Sequence, residues 1–221
     1  MKKENQKYFF IATSMLIGFV LWTIAIRFID LQAIGPHQST VGFASINRFV
    51  HNLTGVNMLL YTITDWLGLV PIVFAMGFGV LGLVQWIKRK NILKVDYSIL
   101  VLGGFYIVTM AAYILFETVV VNYRPILING YLEASYPSST TMLVMCVMPT
   151  AIIQFSTRIK NNILKRCVVY VIAFFIVFMV IGRLISGVHW FTDIVGGALL
   201  STGLVLFYLA IINCKKANKK L

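Results

Sequence analysis

Long apolar runs alternate with short polar connections along the whole chain. A helix needs about 20 apolar residues to cross about 30 Å of hydrocarbon. Six runs reach or approach that length, at about 8–29, 66–87, 97–121, 139–156, 167–185 and 192–213. The pattern predicts an all-α integral membrane protein, a bundle of six transmembrane helices forming one domain over residues 1–221. The first run is too long for a signal peptide and no small-residue cleavage site follows it, so it is expected to stay as an anchor. Between about 30 and 65, Ile34-Gly35-Pro36 marks a turn. The mixed stretch from Val41 to Thr62 predicts a short interfacial helix over the mouth of the bundle.

Composition agrees, since 59% of the residues are hydrophobic and 12% charged, against about 45–50% and about 25% in soluble chains. A net charge of +12 raises the question of a nucleic-acid partner, but the cations do not form one patch. Fifteen of the 19 Lys and Arg fall in four clusters between apolar runs: Lys2, Lys3, Lys7; Lys88, Arg89, Lys90, Lys94; Arg158, Lys160, Lys165, Arg166; and Lys215, Lys216, Lys219, Lys220. This is the positive-inside signature of a multispanning protein, and it excludes nucleic acid as the expected partner. It predicts cytoplasmic termini and outer connections near 30–65, 122–138 and 186–191. The four remaining cations, Arg27, Arg48, Arg124 and Arg183, fall on that outer side. Cys146, Cys167 and Cys214 offer no disulfide framework. There is no metal-ligand pattern and no Walker or dinucleotide loop, so neither metal nor cofactor is expected. Asn52-Leu53-Thr54 reads as loop sequence rather than as a modified sequon, and His37 and His51 as loop residues.

Ionisable groups near spans are costly and are functional candidates by default. Arg124-Pro125 follows the third run, Tyr136-Pro137-Ser138-Ser139-Thr140 opens the fourth, and Gly182-Arg183, His189 and Asp193 bridge the fifth and sixth. The topology places all three groups at the outer face. Two arginines can hold a phosphate by paired, charge-assisted hydrogen bonds. The N–H groups of Ser138 and Ser139, at the start of a helix, make an anion-binding end. His189 and Asp193 are four apart, so on a helical turn the carboxylate bonds one ring nitrogen directly and leaves the other free to attack.

These residues resemble the type-2 phosphatidic-acid phosphatase superfamily, whose membrane branch shares a catalytic bundle with the vanadium haloperoxidases. The family motifs K-x6-RP, PSGH and SR-x5-H-x3-D align in order with Glu117-x6-Arg124-Pro125, Pro137-Ser138-Ser139-Thr140 and Gly182-Arg183-x5-His189-x3-Asp193. The resemblance implies that Arg124 and Arg183 bind phosphate. It also implies that Ser138 and the following amide, that of Ser139, complete the pocket, that His189 is the nucleophile and that Asp193 orients it.

Among the departures from the motifs, three bear on the chemistry. Glu117 replaces the lysine and is expected to pair with Arg124. Thr140 replaces the histidine that protonates the leaving oxygen, a function worth about 10²–10⁴-fold. Gly182 replaces a serine, at an expected cost of at most one hydrogen bond. A leaving group that needs no proton tolerates Thr140 best, so an isoprenoid diphosphate is expected over phosphatidic acid. The expected activity is metal-independent hydrolysis of a lipid phosphate or diphosphate through a phosphohistidine, in a bacterial plasma membrane. Two alternatives are a lipid-phosphate binding protein without turnover and a lipid phosphotransferase. A transporter fits less well, because its charges would lie at the midplane.

Overall fold

The computed structural model describes residues 3–218. Lys2, Lys219 and Lys220 of the terminal basic clusters lie outside the described residues. Eight α-helices account for most of the chain: α1 (Lys3–Ile26), α2 (Ala44–Thr54), α3 (Met58–Leu67), α4 (Leu69–Arg89), α5 (Tyr97–Thr118), α6 (Ser139–Arg158), α7 (Asn162–Ile185) and α8 (Phe191–Asn218). With α3 and α4 counted together, six are long and apolar enough to cross a membrane, and the chain is a multi-pass membrane protein.

Three helices start where the sequence supplies acceptors for unpaired N–H groups. Asn57, Ser138 and Asn161 cap α3, α6 and α7 through their side chains. The outward faces of α4, α5 and α7 carry exposed apolar side chains such as Val80, Ile107 and Phe174, as a lipid solvent requires. The least apolar span, α6, is also the most buried, because it faces protein instead of lipid. It packs on α4, α5, α7 and α8, where Thr150 Oγ1 donates to Val147 O at 2.8 Å, and Ser201 Oγ of α8 donates to Met142 O at 3.1 Å. Close approach of α1 to α8 depends on Gly203, where an added Cβ would lie 2.8 Å from Leu16 Cδ2; small residues let membrane helices meet in this way.

The second span departs from the run at 66–87. Helix α3 begins at Met58, and α4 follows across Gly68, whose N–H still bonds Thr64 O and Asp65 O at 3.0 Å. Apolar periodicity missed this extension because Tyr61, Thr62, Thr64 and Asp65 interrupt its apolar run. The connection before it holds a two-residue hairpin, Gln32–Ala33 with Thr40–Val41, and the short helix α2. Buried Asn47 of α2 is tied to the start of α8: its Nδ2 donates to Thr192 Oγ1 at 3.0 Å, and Thr192 N–H donates to Asn47 Oδ1 at 3.1 Å. Helix α5 stops at Thr118, short of the expected 121. The following loop returns on itself, with Tyr123 bridging Ala134.

Candidate active site

Two loops and two helix starts converge at one end of the bundle. The 119–138 loop folds as a short ladder in which Ser135 N–H donates to Asn122 O at 2.9 Å and Arg124 N–H donates to Glu133 O at 3.1 Å. Arg124 and Ser135 are thereby set side by side. The 186–190 turn contains Gly187 at φ +69°, where an added Cβ would lie 1.9 Å from Gly55 O. Asn57 N–H donates to Ser186 O at 3.0 Å, so the link between α2 and α3 clamps the turn that carries His189.

Arg124, Arg183, His189 and Asp193 come together, and all four are buried. Arg183 Nη2 stands 3.2 Å and Arg124 Nη1 3.5 Å from His189 Nε2. A guanidinium only donates, so Nε2 presents its lone pair to both arginines and the ring proton sits on Nδ1. Burial, reinforced by the charges of Arg124 and Arg183, holds the His189 pKa well below its usual value. The imidazole is therefore neutral, with its unprotonated nitrogen between two cations.

On the other side of the ring, Nδ1 lies 3.0 Å from Ser135 Oγ, which donates to Asp193 Oδ2 at 2.5 Å. The direct distance from His189 Nδ1 to Asp193 Oδ2 is 3.9 Å. This corrects the expected direct bond. His189 lies in a turn rather than on a helix, so the four-residue spacing does not stack the two side chains. Asp193 also accepts Trp190 N–H at 2.9 Å and Asn122 Nδ2 at 3.4 Å.

The arginines are supported from outside the expected set. Arg183 Nη1 is 3.6 Å from Asp65 Oδ1 and 3.5 Å from Thr64 Oγ1, and its guanidinium lies 5.0 Å from the Tyr61 ring centre. Arg183 Nε is buried without a hydrogen-bond partner among the described residues. Arg124 Nε is 3.0 Å from Glu133 Oε2, which corrects the expected pairing with Glu117. Because α5 ends at Thr118, Glu117 and Arg124 share no helical face; Glu117 instead lines a small cleft with Ser135 and Ser139.

Ser138 is engaged twice. Its N–H donates to Asp193 O at 3.1 Å, and its Oγ caps α6 by accepting from Thr141 N–H at 3.5 Å. Its amide is therefore not free for an anion, contrary to expectation. The N–H groups of Ser139 and Thr140, first in the helix, have no intrahelical acceptor. Thr140 lines a cavity of about 450 Å³ with Asp65, Ser139, Tyr113 and apolar residues of α4, α5 and α6. Gly182 faces α3, and an added Cβ would lie 2.8 Å from Thr64 Cγ2. Glycine there is a packing requirement, not the loss of one hydrogen bond.

Residues 118–216 match the PAP2 superfamily. The chain carries a PAP2 segment. That segment contains Arg124, Ser138, Ser139, Thr140, Arg183, His189 and Asp193, together with the unforeseen Asn122, Glu133 and Ser135. Glu117 lies one residue before it, and the α3 supports Tyr61, Thr64 and Asp65 precede it. The fold is similar to that of the transmembrane PAP2-type phosphatidylglycerolphosphate phosphatase from Bacillus subtilis, over 93% of this chain and 96% of that one, with a TM-score of 0.59 and 20% identity. No curated protein matches the sequence. Of the residues that sequence reasoning missed, Asp65 stood out as an ionisable group near a span boundary; Ser135 and Asn122 carried no local signal.

Proposed function

We propose that the protein is a membrane lipid phosphatase that hydrolyses a lipid phosphate or diphosphate through a phosphohistidine on His189. The observation that supports this reading best is the convergence of two buried guanidinium groups on the lone pair of a neutral imidazole. The PAP2 match and the phosphatase named among the similar folds point the same way. Arg124 and Arg183 hold the equatorial oxygens of the phosphoryl group, and with that charge neutralised the reaction asks no metal of the site. The Nε2 lone pair attacks phosphorus; the P–N bond forms, the P–O bond to the leaving group breaks, and its electron pair stays on the departing oxygen. Water then attacks phosphorus, releases a proton to solvent and returns the P–N electron pair to Nε2.

Thr140 supplies no acid near neutral pH, so the departing oxygen must leave unprotonated. A lipid diphosphate meets that condition because it departs as a monophosphate, and an isoprenoid diphosphate is the proposed substrate class. The apolar cavity beside Thr140 seats the first part of the lipid chain. The basic clusters support cytoplasmic termini and a site at the outer face of the membrane, which we take to be a bacterial plasma membrane.

Phosphate release by purified protein in detergent, from an isoprenoid diphosphate and from phosphatidic acid, tests this against His189→Ala. Release that favours the diphosphate and vanishes in the variant is expected. Binding without release from either lipid overturns hydrolysis in favour of a binding protein. A phosphoenzyme that discharges only when an acceptor alcohol is added favours a phosphotransferase.

A further inference from the structure

The PAP2 motifs assign nothing to Ser135, yet its hydroxyl stands between the nucleophile and its carboxylate. Ser135 is buried and fixed from both sides. Its N–H is bonded to Asn122 O, and the next residue, Tyr136, has its ring packed with Phe19 and Phe116 and its hydroxyl 2.7 Å from Thr23 Oγ1. The position of the hydroxyl therefore does not depend on the histidine.

Two separate constraints orient the protons. The arginines cannot accept, so Nε2 carries no proton and Nδ1 does. An ionised carboxylate cannot donate, so the 2.5 Å contact with Asp193 Oδ2 requires the serine O–H to point at Asp193. The remaining serine lone pair then faces Nδ1–H at 3.0 Å. The reverse arrangement would leave two oxygens in contact without a proton between them and a protonated Nε2 against two guanidinium groups.

We propose that Ser135 is a positioning residue that couples Asp193 to the nucleophilic ring, so that Asp193, Ser135 and His189 act in series. The inference rests on His189 being the nucleophile. When the Nε2 pair goes to phosphorus the ring becomes cationic; the Nδ1–H polarises the serine hydroxyl toward Asp193, and the carboxylate stabilises the ring through that bond. At 3.9 Å the carboxylate cannot bond Nδ1 itself, so loss of the hydroxyl leaves a buried N–H unpartnered.

Ser135→Thr and Ser135→Val test this, since they share a shape and differ in the hydroxyl. The valine variant is expected to lower kcat about 10- to 100-fold relative to the threonine variant, short of the about 10⁴-fold that a wrong tautomer costs a triad histidine. KM and competition by inorganic phosphate stay within about 2-fold, because both arginines remain. Ser135→Val combined with Asp193→Ala is expected to be no slower than Asp193→Ala alone. Equal kcat for threonine and valine, or losses that multiply in the double variant, overturn the proposal. A readout that needs no turnover is the Nδ1–H resonance of labelled His189, downfield and exchange-protected in the natural protein and Ser135→Thr, and lost in Ser135→Val. That pattern in a protein that releases no phosphate supports the positioning while failing the hydrolase reading; turnover indifferent to the hydroxyl fails the positioning alone.

Discussion

Both ends of the bundle set two arginines near an aspartate, but they spend the charge differently. At the end away from the site, Arg89 Nη1 and Arg158 Nη2 both turn to Asp96, at 3.0 and 3.4 Å. Gln85 closes the cluster by donating to Asp96 Oδ2 and accepting its N–H, each at 2.9 Å. One carboxylate answers two guanidinium groups, and that end closes on itself. At the site end Asp193 is turned away from the arginines, toward Ser135, Trp190 and Asn122, while Arg124 and Arg183 face His189 Nε2. Each also has a carboxylate partner, Glu133 or Asp65, but Arg124 and Arg183 are themselves buried, whereas Arg89 and Arg158 are partly exposed. The same residue types thus make a structural clasp at one end and a buried pair of cations facing an imidazole at the other.

The comparison breaks most directly by removing one arginine from each end. Arg183→Ala should lower kcat/KM for phosphate release by about 10²–10³-fold, the usual effect of losing a donor to a developing charge. Arg158→Ala should leave kcat/KM within about 2-fold and lower stability by at most about 1 kcal/mol, since the pair is partly exposed. Comparable losses of activity from both would mean that the two ends are not divided in this way.

A smaller effect is expected at the packing that carries Arg183. Gly182→Ser places a Cβ against Thr64 Cγ2, and overpacking of this kind costs about 1–3 kcal/mol. Adding Thr64→Ser removes the methyl that clashes and keeps the hydroxyl near Arg183. Thermal unfolding should show a lower Tm in Gly182→Ser and its recovery in the pair. Failure of Thr64→Ser to restore it would show that the α3 contact is not what selects glycine.

Much of this was legible in the sequence, and the rest was hidden for identifiable reasons. The six spans follow from apolar length and basic clusters, which are local properties. Arg124, Arg183, His189 and Asp193 could be drawn together because the topology puts their segments at one end. The Glu117–Arg124 pair and the direct His189–Asp193 bond assumed helical spacing where the chain is in fact loop and turn. Ser138 was expected to offer its amide, but the acceptor it meets, Asp193 O, lies far along the chain. Tyr61 and Thr64 were hidden because a helical extension interrupted by polar residues does not look like a span. Ser135 was hidden because its neighbours are set by the 122–135 ladder, and no motif spacing encodes that pairing.

The smallest expected effect is on pH dependence, and the two ends should differ in where it appears. Buried His189, with Arg124 and Arg183 beside it, stays neutral in the folded protein well below its usual pKa. The unfolded chain takes up that proton near pH 6.5. Unfolding therefore binds a proton below about pH 6.5, and stability declines as pH falls from there. For Asp96, burial works to raise the pKa, but Gln85, Arg89 and Arg158 prevail and hold it below the usual value. Its stabilisation is present above about pH 4 and is lost only as pH falls further, through the folded value. Between about pH 7.5 and 5 the site end alone should titrate. Tm measured across that interval should fall further in the natural protein than in His189→Gln, and as far in Asp96→Asn as in the natural protein. A decline that persists in full in His189→Gln and disappears in Asp96→Asn would reverse the assignment, making the clasp the sensitive end.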